Sequence, residues 1–409
     1  MVVAFWILSA GSACALWAQP VKTAAHVLAE SDFRAFAGER VGLIVNHTAH
    51  VNGQHLIGLV DEADGVEIAA IFGPEHGLRG TEEDGVEVAD GLDDQTGVPV
   101  YSLYGTARRP TPDMLQGVDR LIFDIQDVGA RFYTFISTMG LAMQAAAEHG
   151  IPFTVLDRPN PLGGNYVSGF VLEEAHRSFV GQYPIPIAHG MTVGELAGMI
   201  VGERFLPGLE ALELEVVELE GWERSTQWPD TGLPWIPTSP NVPGFETALV
   251  YPGTCFFEAT AASEGRGTYT PFTLVGAPWA DGQSLADTLN ARDLKGIRFE
   301  AVRYTPRAIP RMDTNPKLQG QDVEGVRLVV TNRVTFQPVE TGIHVLYAFY
   351  NAAPRAEVFL TRPAWLARLA GTTRLLHGLE SGIHPEEVIR GWEGEIAAFR
   401  KQRQAYLLY

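Results

Sequence analysis

The 409-residue sequence predicts an α/β protein, with a doubly wound parallel sheet in its first part and a smaller α+β unit after it. Two observations predict the sheet. Four short runs, at 41–45, 66–72, 121–125 and 151–156, are almost continuously apolar, as strands covered on both faces must be. Helical patterns lie between or after them, notably at 135–149, where Ile136, Met139, Met143 and Ala147 recur at helical spacing. Strands alternating with helices join in parallel, because each helix carries the chain back across the sheet.

Each run ends on a polar cluster: Asn46-His47-Thr48, Gly73-Pro74-Glu75-His76, Asp124-Ile125-Gln126-Asp127, and Asp157-Arg158-Pro159-Asn160. In open α/β sheets the ligand crevice lies outside the carboxyl ends of the strands, so these clusters converge on one candidate site. After Gly164 the pattern changes. A helix at 192–204 begins with a capping box, Thr192 followed three residues later by Glu195. A strand at 212–219 precedes the proline-rich stretch 228–243, which reads as an ordered, functional loop near a domain junction. Strands at 296–304 and 326–331 and helices at 341–350, 363–369 and 385–400 complete the α+β unit. The expected division is a doubly wound domain over 19–243 and a smaller α+β domain over 244–409.

Residues 1–18 form an apolar run too short to span a bilayer, with small residues before Gln19 suited to signal-peptidase cleavage, although a positively charged start is missing. The expectation is an exported protein, periplasmic or extracellular, with no integral membrane segment after cleavage. Cys14 would leave with this leader. Cys255 would remain alone, unable to form an internal disulfide, and its apolar setting reads as a packed thiol. With 30 basic against 49 acidic residues and a net charge of −19, the chain lacks the clustered positive charge that nucleic acid or anionic lipid requires.

No glycine-rich nucleotide fingerprint opens a helix after the first strand, and no P-loop, Gly-x-Ser-x-Gly or His-Glu-x-x-His motif occurs. The doubly wound sheet therefore carries no nucleotide motif, and no cofactor is expected. Neither the His47/His50 pair nor the Glu75/His76 pair has a recognised metal-ligand spacing.

Three segments carry candidate chemistry. The loop Gly73-Pro74-Glu75-His76-Gly77-Leu78-Arg79-Gly80 turns sharply at its glycines and presents one carboxyl to the crevice, a placement suited to a general acid or base. The alternative is a salt-bridging or helix-starting Glu75. Asp124, Gln126, Asp127, Arg131 and Tyr133 gather acids, an amide, a guanidinium and a phenol suited to sugar hydroxyls and a pyranose face; the alternative is an internal Asp127–Arg131 ion pair. Ser263-Glu264-Gly265-Arg266-Gly267-Thr268 offers Glu264 as a second carboxyl, of which glycosidases usually need two; the alternative is a tight turn with its own ion pair.

In order along the chain, 42–48, 72–80, 123–134, 156–164, 184–195, Pro240-Asn241-Val242-Pro243, 263–267 and the closing Tyr406-Leu407-Leu408-Tyr409 resemble the exo-β-N-acetylmuramidase (NamZ-like) family over nearly the whole mature chain. The resemblance implies release of terminal N-acetylmuramic acid from peptidoglycan fragments, in a cleft between a Rossmann-like domain and a C-terminal domain. It also implies a catalytic carboxylate at Glu75. Glu264 is the inferred partner, with Asp127 next. Substrate-binding candidates are Asn46, His76, Arg79, Asp124, Gln126, Asp127, Arg131, Tyr133, Asp157, Asn160 and Arg266. Muramic acid carries a lactyl carboxylate, for which Arg131, Arg266 and Arg79 are the candidate cations. One departure stands out: Val167-Ser168-Gly169-Phe170 replaces an expected Val-Glu-Gly-Pro, which bears on activity if that glutamate contributes. The competing functions are a non-catalytic muropeptide-binding protein and a metal-dependent amidase or esterase using His47, His76 and Asp127.

Overall fold

Strands that are apolar on both faces need a layer on each side, and the chain supplies it by winding in two directions from one central strand. The computed structural model describes residues 20–409 apart from 81, 84, 85, 87 and 88; the expected leader and Cys14 lie outside the described residues. Besides a small ladder of His50–Val51 with Gln54–His55, the strands of the first half are β1 (Arg40–Val45), β2 (Glu67–Gly73), β3 (Gly91–Leu92), β4 (Pro99–Ser102), β5 (Arg120–Asp124), β6 (Phe153–Leu156), β7 (Ser168–Val171), β8 (Pro186–Ala188) and β9 (Leu214–Val217). The main sheet has the order β9-β6-β5-β1-β2-β4-β3, and β7 and β8 pair separately. All its pairings are parallel except that of the two-residue edge strand β3 with β4. Winding runs from β1 through β2 to β4 on one side, then restarts at β5 on the other. The strand order thus reverses between β1 and β5, the kind of point where such sheets bind ligands.

Helix α1 (Phe135–His149) lays Ile136, Met139, Ala142, Met143 and Ala146 into the core and ends at Gly150, whose φ of 65° takes the left-handed conformation that glycine adopts without strain. Helix α2 (Val193–Gly202) begins with the predicted capping box, both bonds formed. Its start is also held by Asp157, which accepts from the Thr192 hydroxyl at 2.7 Å, the Gly194 N–H at 2.7 Å and the Tyr409 hydroxyl at 2.8 Å.

Burial pushes the Asp157 carboxyl up to about 7, against the pull of those donors. The folded state therefore holds a proton between about pH 4 and 7 that the unfolded chain has released, and Asp157 withdraws stability as pH rises through that window. Asp157→Asn, which cannot ionise, is expected to gain on the wild type in melting temperature between pH 4.5 and 7.5. A constant difference across that range would contradict the assignment.

The second half contributes helices α3 (Phe245–Thr254), α4 (Gly282–Asn290), α5 (Pro338–Ala352) and α6 (Pro363–Ala370), and strands β10 (Leu274–Ala277), β11 (Ile297–Tyr304) and β12 (Val323–Val330) in an antiparallel sheet ordered β10-β12-β11. One apolar cluster runs from Phe72 and Phe123 of the main sheet through Phe256 and Phe349 to Trp392. Helices α3 and α5 touch at Gly253 and Gly342: a Cβ on Gly253 would lie 2.0 Å from the Pro338 carbonyl oxygen, and one on Gly342 2.3 Å from Gly253 Cα. That approach explains a helix at 245–254, which its internal Pro252 and Gly253 argue against in sequence. The expected helix at 385–400 is two, Pro385–Arg390 and Glu393–Gln402. The break at Gly391-Trp392 turns the Trp392 ring onto Phe170, with centroids 4.8 Å apart.

Candidate active site

Strand β2 is apolar to its end, then turns through a loop that cannot continue as sheet. His76, Gly77 and Gly80 all have positive φ, and Gly80 packs so closely that a Cβ there would overlap the His47 ring. This tight turn sets the half-buried Glu75 side chain on the wall of a cavity of about 400 Å³, the size of a small-molecule site. The Thr134 hydroxyl donates to Glu75 Oε2 at 2.6 Å, fixing the carboxyl from the loop that follows β5. His76 lines the same wall and donates from Nδ1 to the Glu82 carbonyl at 2.8 Å.

The cavity lies beyond the carboxyl ends of β2, β4 and β5 and is closed by the second half of the chain. Tyr133, Tyr251 and Trp365 face it, and Tyr133 is fixed through its hydroxyl to Thr238 at 2.8 Å. The proline-rich segment is ordered as expected: besides Thr238, its Pro237 carbonyl accepts from the His47 ring, and Ser239, Asn241 and Val242 line the cavity. Burial pulls the His47 imidazole below its usual range, which favours its neutral form.

A second carboxyl faces this cavity from the turn after α3. Glu258 pairs with Arg266 at 2.7 Å and accepts from the Trp365 indole at 3.4 Å. Glu258, Arg266, Asn241 and Arg362 also line an adjoining cavity of about 260 Å³, so the two form one groove. Glu264 lines only the smaller one. It is buried, paired with Lys317 at 2.6 Å and Arg266 at 3.3 Å, and these cations hold its carboxyl below the usual range against burial. The Ser263–Thr268 segment is therefore a turn with its own ion pair, while Arg266 reaches the main cavity.

The remaining candidates stand outside the cavity wall. Asn46 accepts from the Thr48 N–H at 2.9 Å, and Gln126 donates to the Asp127 and Pro159 carbonyls. Asp124 forms a buried two-point pair with Arg158. Asp127 accepts from the Gly129 N–H at 2.6 Å rather than pairing with Arg131. Asn160 joins Leu162 to Met191. Arg79 is exposed and pairs with Asp93 at 3.2 Å. Arg131 is fully buried and donates to four carbonyls, those of Phe170 and Ile185 in the first half and Leu369 and Ala370 in the second, at 2.6–2.9 Å. Burial lowers its guanidinium to about 9, which still leaves a cation at neutral pH.

Family models described as exo-beta-N-acetylmuramidase NamZ, N-terminal and C-terminal, match residues 41–246 and 249–409. The chain belongs to the NamZ family. A Bacillus subtilis (strain 168) NamZ-family protein named peptidoglycan beta-N-acetylmuramidase NamZ is 44% identical over 391 residues, 95% of this chain and 91% of that protein. Two crystal structures of DUF1343 family proteins from Bacteroides fragilis share the fold. One superposes with a TM-score of 0.88 at 37% identity, covering 95% of this chain and 99% of that one. The other gives 0.79 at 32% identity, covering 96% and 99%.

Within this NamZ-family chain, the Ser168 departure lies away from the cavity wall. Ser168 is buried on β7 and its hydroxyl donates to Glu340 of α5, which the Tyr166 hydroxyl also contacts at 2.6 Å. A glutamate at 168 would set two carboxyls against each other. Among the described residues no three His, Cys, Asp or Glu side chains gather as a metal site would need, and His47 and Asp127 are each engaged elsewhere. Sequence reading missed Thr134, Glu258, Arg362 and Trp365. Of these, only Thr134 sits in a segment singled out for chemistry, while Trp365 falls in the expected helix at 363–369.

Proposed function

We propose that this chain is an exo-acting glycoside hydrolase that releases terminal β-linked N-acetylmuramic acid from peptidoglycan fragments, with Glu75 as its catalytic carboxyl. One observation carries the assignment of the site. Glu75 is held by Thr134 on the wall of an aromatic-lined cavity at the carboxyl ends of the sheet strands. The reaction itself comes from the relative's name, peptidoglycan beta-N-acetylmuramidase.

Cleaving a glycosidic bond needs a proton on the departing oxygen and a water on the sugar's anomeric carbon. Glu75 gives the proton as the C1–O bond breaks. The oxygen leaves on the shortened fragment, and water adds its hydroxyl to C1 while its remaining proton returns to the Glu75 carboxylate and restores the acid. Glu258 supplies the second carboxylate, set by Arg266 and Trp365 to face positive charge developing on the ring. Tyr133 and Trp365 offer flat surfaces to the pyranose, and the adjacent apolar walls suit the acetamide methyl.

The purified chain is expected to release a chromogenic group from a β-N-acetylmuraminide and to spare the matching α-anomer. Tight muropeptide binding without turnover would instead identify a binding protein. We also infer export, since the apolar run 1–18 precedes a chain whose described helices are not long and apolar enough to cross a membrane. Recovery in the periplasm or medium with a new amino terminus near Gln19 would support it, and an uncleaved cytoplasmic protein would end it.

A further inference from the structure

A chain of net charge −19 repels an anionic ligand, and Glu75, Glu258 and Glu264 concentrate acid around the groove. A sugar bearing a carboxylate therefore requires a cation that is not already neutralised. The arginines of the sequence motifs do not provide it: Arg131 is committed to four backbone carbonyls, Arg79 to Asp93, and Arg266 to Glu258 and Glu264.

Arg362 differs from them. It stands just before α6, lines both the main and the adjoining cavity, and makes no ion pair among the described residues. Its guanidinium carbon lies 5.0 Å from the centroid of the Trp365 ring, whose indole in turn donates to Glu258. Stacking on an aromatic face restricts a long side chain without neutralising it, so the fork of donors is held ready for a planar anion. Its backbone N–H bonds to the Ala259 carbonyl at 3.0 Å, which ties Arg362 to the turn carrying Glu258.

We propose that Arg362 reads the lactyl carboxylate of the terminal muramic acid and sets the preference for that sugar over one lacking the lactyl group. The inference rests on the hydrolase reading above for its substrate class. Arg362 is a specificity residue, because it contacts a substituent remote from the bond that breaks.

The test compares two chromogenic β-N-acetylmuraminides, one with a free lactyl carboxylate and one with the carboxamide, on wild type, Arg362→Gln and Arg362→Lys. Wild type is expected to prefer the free acid by about 10–100-fold in kcat/KM, the range of a hydrogen-bonded charge pair. Arg362→Gln should lose that factor on the acid, chiefly in KM, and almost none on the amide. Arg362→Lys should recover part of it. An Arg362→Gln variant with the wild-type preference, or with equal losses on both substrates, overturns the proposal. If wild type hydrolyses neither compound, calorimetric binding of N-acetylmuramic acid and its carboxamide to wild type and Arg362→Gln makes the same comparison. A preference lost in the variant then supports Arg362 even as the hydrolase reading fails, and a preference retained overturns it. An unchanged melting temperature in Arg362→Gln verifies the fold.

Discussion

Glu75→Gln is expected to reduce kcat on a β-N-acetylmuraminide by about 10²–10⁴-fold, the usual contribution of a positioned acid or base. That loss corresponds to about 3–5 kcal/mol of transition-state stabilisation. Glutamine keeps the shape of the side chain and an oxygen that still accepts from Thr134, so the loop and the cavity wall should survive. It cannot pass a proton to the departing oxygen. Dissociation constants measured by calorimetry should therefore stay within a few-fold of wild type while the rate falls, the pattern of an interaction made only in the transition state. A Glu75→Gln enzyme with full turnover would remove the central residue from the mechanism.

Arg131→Met should act in the opposite way, on stability first. The substitution leaves the carbonyls of Phe170, Ile185, Leu369 and Ala370 without their buried donor. Each buried carbonyl left without a donor costs about 1–3 kcal/mol, so the loss of four bonds should lower stability by several kcal/mol even though a buried charge goes with them. Lysine should not restore it, because a single ammonium lacks the guanidinium's spread of donors. Gly371, where a Cβ would lie 2.6 Å from Arg131 Nη2, allows the close approach on which these bonds depend. The midpoint of denaturant unfolding measures the effect, and an Arg131→Met protein as stable as wild type would refute the structural role. The two variants separate cleanly, since Glu75→Gln should leave that midpoint unchanged.

These two residues also mark how far the sequence could be read. Glu75 was legible because a glycine-flanked turn after an apolar strand leaves its carboxyl one way to point. Arg131 was not, because a guanidinium beside acids looks the same whether it meets a ligand or a backbone. Asp124, Asp157 and Asn160 are similar: strand ends in such a sheet need polar groups to satisfy helix starts and crossing loops as much as to hold substrate. Alternating strands and helices gave away the sheet and its winding, since burial on two faces leaves a continuous apolar signature. Glu258, Arg362 and Trp365 left no such mark. They come from helix ends far along the chain, and only tertiary packing, including the close contact of Gly253 with Gly342, brings them opposite Glu75.

Two buried cations join the halves of the chain. Like Arg131, Arg403 crosses between the halves, donating from the last turn of the chain to the carbonyls of His189, Gly190 and Gly164. The two guanidiniums stitch backbone to backbone across the junction, so loss of either loosens the packing of one half on the other rather than the lining of the cavity.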